Sequence, residues 1–387
     1  MPTGKTSNRS SKKSSRASTK ADTVRDPAHD ARLVRDLCRW FEVSARDLPW
    51  RKTGNAGKRD PYRSLVSEFM LQQTQVSRVL EKFGPFIERF PTLSALASAD
   101  EDDVLAMWSG LGYYRRARSL HHCAQEASTR FGELPVSVDD LVSLKGIGRY
   151  TAGAIASIVH NEPAPIVDGN VERVLLRIEG QPFRAGEPDT RDWCWDRAEE
   201  LVKQAAKSRA KSVSPAAFNE ALMELGALVC TPRSPSCLTC PLRTDCRACQ
   251  TGQQHEIPAP KARQARKPLY MACAIVENKK SQLLISQRPK GGLWGGLWEV
   301  PGLESDSPVP IEALAARLGV ATKDLIRHNE FVFETTHRSV KVEVYRATRA
   351  GSVTGGRWVT RNELETLALG SLQSRVIASL TARKESL

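Results

Sequence analysis

The sequence predicts two folded domains of different class, an all-α domain followed by a smaller α+β domain. Three observations predict this. The chain has 387 residues, too many for one ordinary domain. Apolar residues recur at helical spacing from Asp30 to Gly226, and at the two-residue spacing of strands from Leu269 onward. Between the two patterns lies a stretch, 250–268, rich in Gln, Pro, Lys and Arg that reads as a linker. No internal repeat is present.

Residues 1–27 open the chain with Ser, Thr, Lys and Arg and almost no apolar content, so they are expected to form a disordered basic tail. The helical domain spans 28–249. Leu33, Leu37, Trp40 and Phe41 share one helix face, as do Leu65, Phe69 and Val76, and then Leu105, Trp108, Leu120 and Cys123. After the linker, 269–387 forms the second domain. Strands are predicted at Leu269–Glu277, Ser281–Arg288, Asn329–Phe333 and Val340–Ala347, with helices at Ile311–Leu318 and Glu363–Leu367.

Charge narrows the function. Lys and Arg total 57 against 44 Asp and Glu, a net +13, which favours a polyanionic partner such as nucleic acid. No apolar run is long enough to span a membrane, and no secretory signal is present. A cytoplasmic protein is expected, nucleoid-associated in a bacterium. Cys230, Cys237, Cys240 and Cys246 crowd into one loop, 230–246, with C-x6-C-x2-C-x5-C spacing. Four thiolates so close suit a soft metal centre in a reducing compartment. A single C-x2-C hook favours a [4Fe-4S] cluster over zinc, which more often uses two such hooks; incidental buried thiols are the third alternative. Arg233, between the first two cysteines, is placed to meet a phosphate or to sit solvated.

Gly146 and Gly148 lie one residue apart just before an Ala-rich helix. Such a turn admits a phosphate to backbone N–H groups at a helix start, or simply joins two helices. Two acids stand in apolar settings. Glu68 is flanked by Val66, Phe69, Met70 and Leu71, and Asp168 lies in Pro165-Ile-Val-Asp-Gly-Asn-Val171. A carboxyl in apolar surroundings keeps its proton toward neutrality, and a second one kept ionised stabilises a cation. Glycosidic cleavage commonly uses that pair. Taken alone, each acid reads first as a helix cap or a surface ion-pair member, and sequence does not place the two in one site.

Several motifs together resemble one family. Leu48-Pro-Trp-Arg51, Ser67-Glu-Phe-Met-Leu-Gln-Gln-Thr74, Gly110-Leu-Gly-Tyr-Tyr-Arg115, Gly146-Ile-Gly-Arg-Tyr150, Val167-Asp-Gly-Asn-Val171, Phe218-Asn-Glu-Ala-Leu-Met-Glu-Leu-Gly226 and the four cysteines are similar to the helix–hairpin–helix DNA glycosylases with an iron–sulfur cluster, and within them to adenine DNA glycosylases of the MutY type. The C-terminal part resembles that family's Nudix-like (MutT-like) domain. The resemblance implies a monofunctional, monomeric enzyme acting on double-stranded DNA with A:8-oxoguanine or A:G mispairs. Adenine would be flipped from the stack before its N-glycosidic bond is hydrolysed. Glu68 would be the general acid, and Asp168 would stabilise the oxocarbenium ion. Tyr150 and Asn170 would orient them. Trp50, Arg51, Leu71 and Glu220 would line the base pocket. Gln73 and Tyr113 would wedge into the stack, and Gly146 and Gly148 would meet the DNA backbone.

Two departures matter. An endonuclease III-like bifunctional glycosylase/AP lyase on oxidised pyrimidines needs a Lys where Tyr150 stands, and Tyr cannot form the Schiff base. A nucleotide-pool hydrolase needs a carboxylate pair that falls here on Ala316 and Arg317, so the second domain is expected to bind DNA rather than hydrolyse diphosphates. A lesion-reading Phe-Ser-His turn corresponds to Glu334-Thr-Thr-His-Arg338, where Thr336 and His337 would supply hydroxyl and imidazole and the Phe is lost or displaced to Phe333. A non-catalytic DNA-binding cluster protein is the remaining alternative, and base release separates it from the enzyme.

Overall fold

A computed structural model describes residues 26–53, 57–260 and 265–380. The basic tail expected at 1–27 lies outside them as far as residue 25.

The helical domain runs α1 (Pro27–Ser44), α2 (Pro61–Leu71), α3 (Val76–Arg89), α4 (Leu93–Ala97), α5 (Glu101–Met107), α6 (Arg115–Phe131), α7 (Val138–Ser143), α8 (Arg149–Ala154), α9 (Gly169–Ile178), α10 (Pro188–Lys207), α11 (Pro215–Leu228) and α12 (Arg247–Gln250). Local chemistry sets the starts that matter for the site. Asp60 accepts from the Tyr62 and Arg63 N–H groups ahead of Pro61, and Ser214 accepts from Ala217 ahead of Pro215. Both pair a capping side chain with proline in the first turn, where its missing N–H costs nothing.

These helices bury two separate apolar cores. Leu65, Phe69, Phe83, Phe86, Trp108 and Leu120 belong to the one built on α2 to α7. Leu37, Val174, Leu175, Leu201, Phe218 and Leu222 belong to the one built on α1 and α9 to α11. α8 spans the seam. Ala152 packs into the first core and Ala154 into the second, and the helix continues as a π-turn, Ile155–Val159. Such turns concentrate at functional sites. α7 and α8 form a helical hairpin across Leu144–Gly148. Gly146 has φ +96, and a Cβ there would lie 2.9 Å from the Ser119 Cβ, so only glycine makes this turn against α6.

The stretch read as a linker is shorter than expected. Ile257 is buried in the second core, and its carbonyl accepts from Arg177 Nε at 2.8 Å. One apolar side chain in a polar stretch is enough to dock it.

The second domain contains β1 (Lys267–Val276), β2 (Leu283–Gln287), β3 (Trp298–Glu299), β4 (Gly302–Ser305), α13 (Ile311–Leu318), β5 (Ile326–Glu334), β6 (Arg338–Ala347), β7 (Gly356–Val359), α14 (Arg361–Glu365) and α15 (Ser371–Ala378). One sheet has the order β4-β1-β6-β5, with β1 and β6 parallel, and the other β3-β2-β7. β1 is buried on both faces. Leu269, Met271, Cys273 and Ile275 face one core with α15, whereas Ala272, Ala274 and Val276 face another with α13. This is the period-two alternation of a central strand.

The domains contact directly. Leu297, Ala368 and Trp294 pack into the first helical core. The Tyr114 hydroxyl donates to the Leu369 carbonyl at 2.6 Å, and Arg118 Nη2 donates to the Gly295 carbonyl at 2.8 Å. The Tyr113 and Thr336 hydroxyls hydrogen-bond to each other, so the Thr336-His337 turn stands beside the Tyr113 turn.

Candidate active site

A cavity of about 480 Å³ opens at the seam between the two helical cores. Its size suits a single small ring system with a few polar contacts. Trp50, Arg51, Glu68, Leu71, Gln73, Tyr150, Asp168, Asn170 and Glu220 all line it. They come from segments as far apart as residues 50 and 220. Tyr113, Gly146, Gly148, Thr336, His337 and the four cysteines lie outside it.

Glu68 sits on α2 and lines the cavity. Burial pushes its carboxyl up to about 7. The nearby Tyr150 hydroxyl, which donates to the Met223 sulfur at 3.2 Å, pulls it down, the charges of Asp168 and Glu220 push it up, and Arg51 pulls it down. A carboxyl so placed holds its proton near neutrality and can still release it. Tyr150 is raised well above its ordinary value, by burial first and then by the Glu68 and Asp168 charges, so it stays a donor.

Asp168 plays two parts at once. It is the N-cap of α9, where Oδ1 accepts from the Asn170 N–H at 2.9 Å and the Val171 N–H at 2.7 Å. Oδ2 accepts from Asn170 Nδ2 at 3.2 Å. Burial raises its pKa, and these hydrogen bonds and Arg173 oppose the rise. Asn170 is itself held by Arg173 Nη2 at 2.9 Å. Gly226 makes room for it, because a Cβ there would lie 2.7 Å from the Asn170 Cβ. The cavity thus holds one carboxyl tuned toward an acid and another tied down by donors. That division of labour serves glycosidic cleavage.

An ionic lattice also lines the cavity. Arg51 Nε donates to Glu220 Oε1 at 3.0 Å and its Nη2 to Glu224 Oε2 at 3.0 Å. Arg46 Nε meets Glu224 Oε1 at 2.8 Å, and Arg59 grips both Glu220 oxygens at 2.9 and 2.6 Å. Burial works against the Glu224 carboxylate, but Arg46 and Arg51 outweigh it and hold it at about 2. Trp50 is buried edge-on against Phe83, with ring centroids 5.4 Å apart.

Gln73 and Tyr113 stand at the tips of two turns in left-handed backbone, with φ 55 and 47. Such conformations cost energy and persist only when their surroundings enforce them. Arg116 does so here. Its Nη1 donates to the Phe69 and Met70 carbonyls at 2.9 and 3.0 Å and to that of Gln72, and its Nη2 donates to the Thr74 hydroxyl and the Leu111 carbonyl at 3.0 Å each. One buried guanidinium therefore clamps both tips. Sequence reasoning gave no role to Arg116, Arg46, Arg59 or Glu224. Glu224 lies inside the 218–226 motif, and the other three had only their nearness to flagged motifs as a signal.

The cysteine loop is anchored to α9. Arg173 Nε donates to the Cys230 carbonyl at 2.8 Å, and Arg177 Nη1 donates to the Cys230 sulfur at 3.4 Å and the Thr231 carbonyl at 2.7 Å. Burial and then the mutual repulsion of Cys230, Cys246 and Cys237 push the Cys240 thiol up to about 12. Thiols that repel one another on ionising fit a cationic group among them. Among the described residues no three donors converge for a single ion. A four-iron cube is wider than one ion, so its ligands need not converge. Cys249 stands as a fifth thiol close to Cys237, whose pKa is raised by burial and then by the Cys249 charge.

In the second domain, Arg288 bonds Glu299 at 2.7 Å and Glu304 at 2.8 Å in a cavity that Arg317 also lines. Guanidinium groups therefore occupy the acidic end of this cavity. Phe333 packs against the domain core rather than standing at the turn with the exposed Thr336 and His337.

Residues 66–200 match the HhH-GPD superfamily of base excision DNA repair proteins, and 272–379 match the NUDIX domain. The chain is 33% identical to an adenine DNA glycosylase of Rattus norvegicus over 88% of this chain and 76% of that protein. It is likewise 33% identical to the Homo sapiens adenine DNA glycosylase, over 88% and 72%. An adenine DNA glycosylase of Mycolicibacterium smegmatis is 45% identical over 55% of this chain and 68% of that one. A thermostable thymine-DNA glycosylase structure superposes with a TM-score of 0.50 at 25% identity, over 58% of this chain and all of that one. Among the described residues no helix is long and apolar enough to cross a membrane.

Proposed function

We infer the finer activity from one premise: the chain belongs to the adenine DNA glycosylase family, so it is a base-excision repair enzyme that hydrolyses the N-glycosyl bond of adenine in DNA. Its substrate is duplex DNA in which adenine is mispaired with 8-oxoguanine or guanine, and it acts as a monomer.

One observation carries the reading: Glu68, tuned to about 7, shares a cavity with the donor-held Asp168. Adenine leaves as a neutral base only if a ring nitrogen is protonated as the C–N bond breaks. Glu68 supplies that proton to N7. Asp168 faces the sugar and stabilises its developing positive charge, oriented by Asn170. Glu68, now ionised, takes a proton from the attacking water, and Tyr150 keeps its carboxyl aligned. Trp50 and Leu71 contact the flat faces of the flipped base, and Arg51 and Glu220 its polar edge. Gln73 and Tyr113, stiffened by Arg116, fill the space that adenine leaves. Thr336 and His337, beside Tyr113, read the opposite base. The helical hairpin at Gly146 and Gly148 offers backbone N–H groups to phosphate.

Cys230, Cys237, Cys240 and Cys246 hold a [4Fe-4S] cluster. When bound it supplies a covalent tie that fixes the loop carrying Arg233 next to α9; no step of base removal passes through it. Cys240→Ser is expected to lower the iron content per chain and to destabilise the fold by about 4 kcal/mol or more, as loss of a structural metal does. Thermal melting and iron assay check this. Full iron content in Cys240→Ser would remove Cys240 from the ligand set.

The reaction is tested by single-turnover incubation with a duplex containing A opposite 8-oxoguanine, read before and after hot alkali. Base release with strand breaks only after alkali is expected, because Tyr150 offers no amine to the sugar. Breaks without alkali would establish lyase chemistry instead. Tight binding without base release would leave a lesion-binding protein.

A further inference from the structure

We propose that Arg59 is a positioning residue that fixes Glu220 as the acceptor for the exocyclic amino group of adenine, and so sets base specificity; this rests on the adenine reading above. The lone pairs of Glu220 are almost all taken. A carboxylate offers about four acceptor positions, two per oxygen. Glu220 Oε1 takes two donors, Arg51 Nε at 3.0 Å and Arg59 Nη1 at 2.9 Å. Oε2 takes one, Arg59 Nη2 at 2.6 Å. A single acceptor position remains, on Oε2, and Glu220 lines the cavity. A carboxylate accepts and does not donate, so that position receives an N–H and repels a carbonyl. Adenine presents an amino group at position 6; hypoxanthine and guanine present a carbonyl there.

Arg59 is well placed to impose this. It immediately precedes Asp60, the cap of α2, the helix that carries Glu68 and Leu71. Its backbone also bridges to Thr53, just beyond the Trp50-Arg51 turn. Its two-pronged grip removes the rotation about the last side-chain bond of Glu220 that would otherwise let either oxygen face the base. Glu220 is 5% exposed and belongs to α11, so few other groups compete for it.

The test compares single-turnover release of adenine and of purine, which has hydrogen at position 6, each opposite 8-oxoguanine. Wild type, Arg59→Leu and Arg59→Lys are measured, with melting curves alongside. Purine cannot use the Glu220 acceptor, so its release is expected to change by less than about threefold in Arg59→Leu. Adenine release falls, and the adenine-to-purine rate ratio drops roughly 10- to 100-fold, the worth of one hydrogen bond to a charged group. Arg59→Lys keeps the charge but not the fork, so it gives an intermediate ratio, and it carries the test if Arg59→Leu fails to fold. In a Glu220→Gln background, Arg59→Leu changes the ratio no further. Equal losses on both bases, with the ratio at its wild-type value, overturn the proposal and leave Arg59 a structural brace. A wild type that releases neither base overturns the adenine reading itself, and the Arg59 assignment with it.

Discussion

Glu68→Gln is expected to lower the rate of adenine release by about 10²- to 10⁴-fold, the usual worth of a general acid–base group, and at the same time to make the protein more stable at alkaline pH. Both effects have one cause. In the unfolded chain the carboxyl ionises near its ordinary 4.5, but in the folded protein it keeps its proton to about 7, chiefly because it is buried. Below 4.5 it is neutral in both states and the fold bears no penalty. As pH climbs from there to about 7, the unfolded chain gains from ionising and the fold does not, so stability is progressively lost. Above 7 the penalty is complete. Its ceiling is about 3 kcal/mol, the worth of a shift from 4.5 to about 7. Gln never ionises, so the variant escapes the penalty. Melting curves at about pH 5 and pH 8 check it: the stability gain must be larger at the higher pH. The wild-type rate should fall as pH rises through about 7, since the acid must enter the reaction protonated. DNA affinity should hold, because Glu68 meets only the flipped base. A variant that retains the wild-type rate would leave Glu68 a buried carboxyl without a catalytic role, and one that gains stability equally at both pH values would show that its pKa is not raised by the fold.

The part of this site legible in the sequence is the part written in apolar neighbours. Val66, Phe69 and Met70 around Glu68 announce a desolvated carboxyl, and the fold buries all three. Asp168 read either as a helix cap or as a reacting carboxylate, and its geometry serves both: it caps α9 and faces the cavity. The ionic lattice was not legible. Arg51, Arg59 and Glu220 are partners across more than 160 residues, and nothing local distinguishes an arginine that will reach a buried glutamate from one that will reach water. Arg116 follows the Gly110–Arg115 motif in an arginine-rich stretch with nothing local to single it out, yet it is 9% exposed and its two terminal nitrogens donate to both turns. In the second domain the long strands follow the period-two pattern. β3, β4 and β7 escaped because two to four residues carry no period to read. α13 matches the expected Ile311–Leu318, because its apolar face is long enough to repeat.

Asp168→Asn separates the two parts that Asp168 plays. Asparagine caps helices as well as aspartate does, so the cap itself should cost under about 1 kcal/mol. Its carbonyl can still accept from the Asn170 and Val171 N–H groups. Its amide nitrogen must then face Asn170 Nδ2, which now donates to Oδ2 at 3.2 Å. Two donors cannot share that contact. Turning the Asn170 amide relieves it at the expense of the Arg173 bond at 2.9 Å. The loss in rate is expected to be far larger, about 10²- to 10³-fold, because the charge facing the sugar is gone where positive charge develops. Asp168→Ala removes cap and charge together, so it should match Asn in rate and fall about 0.5–2 kcal/mol short of wild type in stability. If Asn keeps wild-type activity while Ala loses it, Asp168 matters only as a cap. The surviving activity of Asp168→Asn carries a further signature. The Asp168 charge is one of the influences that raise Glu68. Without it Glu68 ionises more readily, so the fall in rate with rising pH must begin at a lower pH than in wild type. A pH profile that does not move would mean that the two carboxyls do not sense each other across the cavity.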